Sequence, residues 1–262
     1  MTFALGPHAK SAGYRLAIFD QIGSTNSEAL AQARAGERGP MWFVTSEQTA
    51  GRGRRQRAWI APRGNLASSV LETIDVTPAA AATLGFAAGL ALHAALRTIA
   101  GSAGIGFALK WPNDVMVGPT KLTGILLEAE SLPGGELAVV VGMGTNVVAA
   151  PEGTPTPATS LRALGVETSA EALFAALSDD WAEFRGIWDQ GKGFDEIRRR
   201  WLACAAGLGQ PVAVHTGNAT VSGIFDTIDD TGSMIVRTSS GDRVPISAGD
   251  VHFGSAASLG AA

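Results

Sequence analysis

Four short stretches of this 262-residue chain carry side chains suited to holding anions and polar rings. The densest is Gln48-Thr49-Ala50-Gly51-Arg52-Gly53-Arg54-Arg55-Gln56-Arg57-Ala58-Trp59. Glycine lets a backbone turn tightly and approach a ligand closely. Forked guanidinium donors suit carboxylate and phosphate oxygens, and the Trp59 indole can stack on a base or cover an apolar edge. A solvated arginine loop or a nucleic-acid patch would have the same composition. It is not a Walker loop, because the Gly-Lys-Ser/Thr ending is absent.

The second stretch is Leu109-Lys110-Trp111-Pro112-Asn113-Asp114-Val115. Lys110 stands in an apolar β-type segment, where an unpaired ammonium is costly. A phosphate or carboxylate ligand would explain it, and so would a structural salt bridge to Asp114. Lys110 and Lys121 are half of the 4 lysines in a chain with 16 arginines. The third stretch is Val141-Gly142-Met143-Gly144-Thr145-Asn146-Val147, a strand end that exposes amides to a neighbouring ligand or else a tight β-turn. The fourth, Ser24-Thr25-Asn26, can be a ligand contact or only a helix cap.

Other chemistries lack support. His8, His93, His215 and His252 show no metal-ligand spacing, so no metal site is expected. Cys204 is the only cysteine and rules out an intrachain disulfide framework. No Gly-x-Ser-x-Gly elbow occurs, and no dinucleotide fold is expected, because no third glycine or helix follows Gly144. The formal net charge of −4 excludes a general polyanion binder, although Arg52, Arg54, Arg55 and Arg57 make a local exception.

These stretches need elements to position them. A hydrophobic content of 46% with 17% charged residues excludes disorder and allows a substantial core. Strands are predicted at Tyr14–Phe19, Trp42–Thr45, Leu66–Glu72, Phe107–Trp111, Val115–Val117, Leu122–Glu128 and Leu137–Val141. Helices are predicted at Ser27–Ala35, with Thr25 and Glu28 at capping-box spacing, and at Ala170–Trp188 and Phe194–Ala206. One long Ala-rich helix is expected from Pro78 to about Gly101. Ala79–Leu96 carries no Asp, Glu, Lys or Arg, yet Ala and Gly dominate it, so it reads as a buried core helix and not as a membrane span. No secretory signal is recognised, so a cytoplasmic location is expected. A Pro-rich loop covers 149–160, and Gly207–Pro211 marks a boundary. Short strands are predicted beyond it at Val212–His215, Thr220–Asp226, Ser233–Arg237 and Arg243–Ile246, a set marginal as a fold on its own.

Taken in order, the motifs resemble the catalytic domain of biotin–protein ligases. The marks of that family are Ser-Thr-Asn, Gln-x-x-Gly-Arg-Gly-Arg, Lys-Trp-Pro-Asn-Asp, Lys-Leu-x-Gly-Ile-Leu-x-Glu and Gly-x-Gly-x-Asn. The fourth stands here as Lys121-Leu122-Thr123-Gly124-Ile125-Leu126-Leu127-Glu128. The resemblance runs from about residue 14 to 254. One departure is Gln56, where the loop more often carries Gly. Barely 13 residues precede the first motif strand, too few for a DNA-reading domain, so a repressor role and DNA binding are not expected.

The resemblance implies an α+β fold: a mixed β-sheet packed with helices over residues 1–207, then a small SH3-like β-barrel over 208–262. It implies two steps, formation of biotinyl-5′-AMP from biotin and ATP, then transfer of biotin to a lysine of a biotin carboxyl carrier domain. Ser24, Thr25, Asn26, Gln48, Arg52, Gly53, Arg54 and Lys110 fall to biotin. Lys110, Arg52 and Arg54 fall to catalysis, and Trp59, Gly142, Gly144 and Asn146 to the adenylate. Mg²⁺ would accompany the ATP phosphates, and a homodimer is compatible. Lipoate or octanoate attachment, on the same catalytic fold, is the nearest alternative, and a non-catalytic nucleic-acid binder the more distant one.

Overall fold

The structure is a computed structural model that describes residues 2–217 and 219–253. A seven-stranded mixed sheet dominates it. Its strands are β1 (Arg15–Phe19), β2 (Met41–Thr45), β3 (Leu66–Ile74), β4 (Phe107–Lys110), β5 (Asp114–Val117), β6 (Thr120–Ser131) and β7 (Leu137–Thr145), in the order β1-β2-β3-β7-β6-β5-β4. The β1–β2 pair is parallel and the remaining pairs are antiparallel. Short α1 (Pro7–Ser11) precedes the sheet, and α2 (Thr25–Arg34) covers one face.

Alternation along the strands explains the two faces. On one face Ala29, Leu30 and Ala33 of α2 pack on Phe43, Leu71, Ala138 and Val140. On the other, Val70, Val139, Val141 and Met143 join the main core with α4 (Leu84–Ala100) and α5 (Ala170–Trp188). The expected single Ala-rich helix is in fact two, α3 (Pro78–Ala82) and α4. Thr83 makes the break: its hydroxyl donates to the Ala80 carbonyl at 2.6 Å and accepts the Trp188 indole N–H at 2.8 Å. By length and composition Pro78–Ala100 could cross a membrane, but two-thirds of its apolar window is buried inside this fold.

Helix α6 (Phe194–Ala203) leads to a five-stranded antiparallel sheet: β8 (Pro211–His215), β9 (Thr220–Ile228), β10 (Met234–Arg237), β11 (Arg243–Ile246) and β12 (Asp250–Phe253), in the order β11-β10-β9-β8-β12. Strand β12 was not foreseen. The two sheets share one apolar cluster, in which Val212, Phe225, Met234 and Val251 belong with Leu109, Trp111 and Phe86. The Trp111 indole also donates to the Gly232 carbonyl at 3.0 Å across the seam.

Candidate functional site

The site is the uncovered continuation of the α2 face of the large sheet. Register places Gly124, Gly144 and Ala67 side by side on β6, β7 and β3, and Leu126, Gly142 and Ser69 in the next row of that face. Gly142 and Gly144 are therefore extended strand residues, not a tight turn. They lack side chains because other side chains lie on them. A methyl at Gly142 would stand 2.0 Å from Asn26 Oδ1, and one at Gly144 2.4 Å from Trp59 Nε1. The glycines hollow the sheet, and Asn26 and Trp59 lie over it.

The start of α2 is fixed by polar bonds over this floor. Ser24, not Thr25, caps the helix through the Ser27 N–H. Gln48 Oε1 accepts the Thr25 N–H at 2.8 Å and the Thr25 hydroxyl at 3.1 Å. Ser69 Oγ lies 2.7 Å from Thr25 Oγ1 and 2.6 Å from Asn26 Oδ1. Asn26 Nδ2 donates to the Leu126 carbonyl and to Glu128 Oε2. Arg52 Nη2 also reaches Glu128 Oε2, at 2.9 Å, while the buried Arg52 Nε has no partner among the described residues.

The glycine–arginine stretch forms a small hairpin. Trp59 N–H donates to Gly51 and Gly53 N–H to Arg57, with a bridge between Arg52 and Ala58. At its tip Arg55 and Gln56 have φ of 55° and 61°, the left-handed region in which glycine is easiest. This gives a physical reason for a glycine preference at position 56. Arg54 Nη1 donates to Asn113 Oδ1 at 3.1 Å, and burial lowers the Arg54 pKa. Arg55 and Arg57 both reach Asp250 Oδ2 of β12, at 2.6 and 2.8 Å.

Two lysines complete the wall. Of the two explanations for the placement of Lys110, the salt bridge to Asp114 is not present among the described residues; Asp114 pairs instead with Lys121 at 2.5 Å. Lys110 and Asp114 are register partners on β4 and β5, and Lys121 reaches Asp114 from β6 beside a bulge in β5. Lys121 Nζ lies 5.5 Å from the centre of the Trp59 ring. Lys110 Nζ lies 5.6 Å from the Phe253 ring, and burial lowers its pKa, opposed by the charge of Asp114.

All twelve residues singled out from sequence (Ser24, Thr25, Asn26, Gln48, Arg52, Gly53, Arg54, Trp59, Lys110, Gly142, Gly144 and Asn146) line one cavity of about 720 Å³. Sequence reasoning did not single out Ser69 or Asp250, whose parts depend on strand register and on β12, and it met Glu128 only as the last residue of the Lys121–Glu128 motif, with no site role. It also missed Asn65, whose Oδ1 takes the N–H groups of Val147, Val148 and Ala149 and so fixes the chain just past Asn146. Lys121 had two usable signals, the scarcity of lysine and its place at the head of the Lys121–Glu128 motif.

Comparison with known proteins follows the same order along the chain. Residues 19–146 match the Biotin/lipoate A/B protein ligase family, and residues 207–254 match the Biotin protein ligase C terminal domain. A Biotin–[acetyl-CoA-carboxylase] ligase from Paracoccus denitrificans is 41% identical over 88% of this chain and 97% of its own. One from Mycobacterium tuberculosis is 35% identical over 93% of this chain and 90% of its own. Among solved structures, the biotin protein ligase of Aquifex aeolicus in complex with biotin and ATP superposes with a TM-score of 0.75. It is 24% identical and covers 92% of this chain and 99% of that one.

Proposed function

The chain belongs to the Biotin/lipoate A/B protein ligase family, and as a biotin–protein ligase of that family we propose that it works in two steps within the single cavity. Biotin carboxylate attacks the α-phosphorus of ATP, releasing pyrophosphate and leaving biotinyl-5′-AMP. A lysine of a biotin carboxyl carrier domain then takes the biotinyl group and AMP departs.

The observation that carries this reading is the convergence of Arg52, Arg54, Lys110 and Lys121 on one hollow whose floor is glycine. Both substrates of the first step are anionic, so cations fixed in advance reduce the cost of bringing them together. Arg52 offers an unsatisfied Nε–H, and a buried donor of this kind gains most from an arriving oxygen. We assign Ser24, Thr25, Asn26 and Gln48 to the biotin end. Trp59 and the Gly144–Asn146 strand end go to the adenylate, where base stacking is worth about 1–3 kcal/mol. The lining carboxylates Asp114 and Asp250 are already ion-paired. Mg²⁺ would therefore enter on the ATP phosphates and neutralise their charge.

We further assign residues 1–207 to substrate activation and 208–262 to a module that closes the cavity through Asp250 and His252. The test is to incubate the protein with ATP, Mg²⁺, biotin and an apo carrier domain, and to weigh the carrier. One biotinyl adduct per carrier is expected. An unmodified carrier, or an adduct formed with lipoate in place of biotin, would overturn the reading.

A further inference from the structure

Transfer to the carrier poses a problem that activation does not. A lysine side chain with a pKa near 10.4 is uncharged in only roughly one molecule in 2,500 at pH 7. Its ammonium must lose a proton before it can attack. Most acidic groups around the cavity are already engaged as carboxylates. Asp114 is held by Lys121, Asp250 by Arg55 and Arg57, and Glu128 by Arg52 and Asn26.

Among the described residues, one lining side chain remains free to take a proton. Alternation along β12 puts Asp250 and His252 on the same face, and both line the cavity. His252 is exposed, and no hydrogen bond engages its ring among the described residues. His215 on β8 stands diagonally across from it, with ring centroids 5.0 Å apart, and is itself tied to Thr220 at 2.7 Å. The titratable groups facing His252 are His215 from β8, Lys110 from β4 and Asp250 from its own strand.

Resting on the two-step reading above, we propose that His252 is the catalytic base that accepts a proton from the acceptor lysine. That ammonium gives one proton to a ring nitrogen of His252, and the free amine adds to the carbonyl carbon of biotinyl-AMP. The bond from this carbon to the phosphate oxygen breaks, AMP leaves with the electron pair, and the second amine proton passes to solvent. Burial, followed by His215 and Lys110, lowers the pKa of His252, so its imidazole is neutral and able to accept at pH 7.

Preformed enzyme–biotinyl-AMP is mixed with an apo carrier domain in single turnovers from pH 6 to 9, alongside biotin-dependent pyrophosphate release. For His252→Gln the ratio of transfer to activation falls at least tenfold, and transfer keeps rising with pH where the unsubstituted protein levels off. With hydroxylamine, an amine already uncharged at neutral pH, the two proteins come within about twofold of each other. A ratio within threefold with the same pH profile, or equal slowing toward hydroxylamine and carrier, overturns the proposal. If the unsubstituted protein transfers nothing, the two-step reading itself fails.

Discussion

Lys110 and Lys121 stand on the same cavity wall under different constraints. Lys121 is neutralised by Asp114, whereas Lys110 faces no carboxylate within ion-pairing distance among the described residues. A bound anion therefore gains more from Lys110. Lys110→Ala should reduce biotin-dependent pyrophosphate release at least tenfold with an unchanged circular dichroism spectrum. Lys121→Ala should also lower the thermal midpoint, because Asp114 is left half-buried and unpaired. If Lys110→Ala stays within threefold of the unsubstituted rate, less than about 1 kcal/mol, the activating role passes to Lys121. At this scale the sequence was most informative, because each motif is a contiguous run of unusual residue types. It was least informative where one side chain exists to make room for another. On their own Gly142 and Gly144 read more readily as a turn, until β6 and β3 are laid beside β7 and Asn26 and Trp59 are seen to fill the hollow.

Among the elements, the glycine–arginine hairpin and β12 work as a pair, because both Arg55 and Arg57 end on one oxygen of Asp250. These side chains are substantially solvent-exposed, so each contact is worth at most about 1 kcal/mol and weakens with salt. Asp250→Asn should leave the fold intact but loosen the hairpin. Escaped biotinyl-AMP would then label bystander lysines up to about 30-fold more, the factor that about 2 kcal/mol for the two contacts together allows. Raising the salt should move the unsubstituted protein toward the variant; unchanged labelling would show that the hairpin is held by other contacts. Neither β12 nor the break at Thr83 was legible in the chain. Strand β12 is four residues of mixed polarity, given shape by pairing with β8, and Thr83 interrupts an Ala-rich run through a bond to Trp188, 105 residues away.

Over the whole molecule, alternating patterns and turn residues conveyed the two β-rich parts and the helices between them. They did not convey that the parts share a core. Short strands beyond Gly207 looked marginal as an independent unit, and the structure shows what supports them: Val212, Phe225, Met234 and Val251 are buried with Leu109, Trp111 and Phe86 of the larger part. A chain ending at 207 would expose that surface and orphan the Trp111 indole. A loss of about 3 kcal/mol corresponds to roughly 6–12 °C for a chain of this size. Thermal unfolding of residues 1–207 should therefore begin at least that much lower, or lose its cooperative transition; an unchanged midpoint would mean that the seam adds no stability.

The bond from Trp111 to Gly232 also limits how the chain can be recombined. Gly232 lies against Phe86, where an added methyl would come within 2.9 Å of the ring. An exchange of C-terminal parts between two relatives at the Gly207 boundary would separate residues that must match in shape. Viable hybrids should be those in which the turn around Gly232 and the pocket of Phe86, Trp111 and Phe194 come from the same parent.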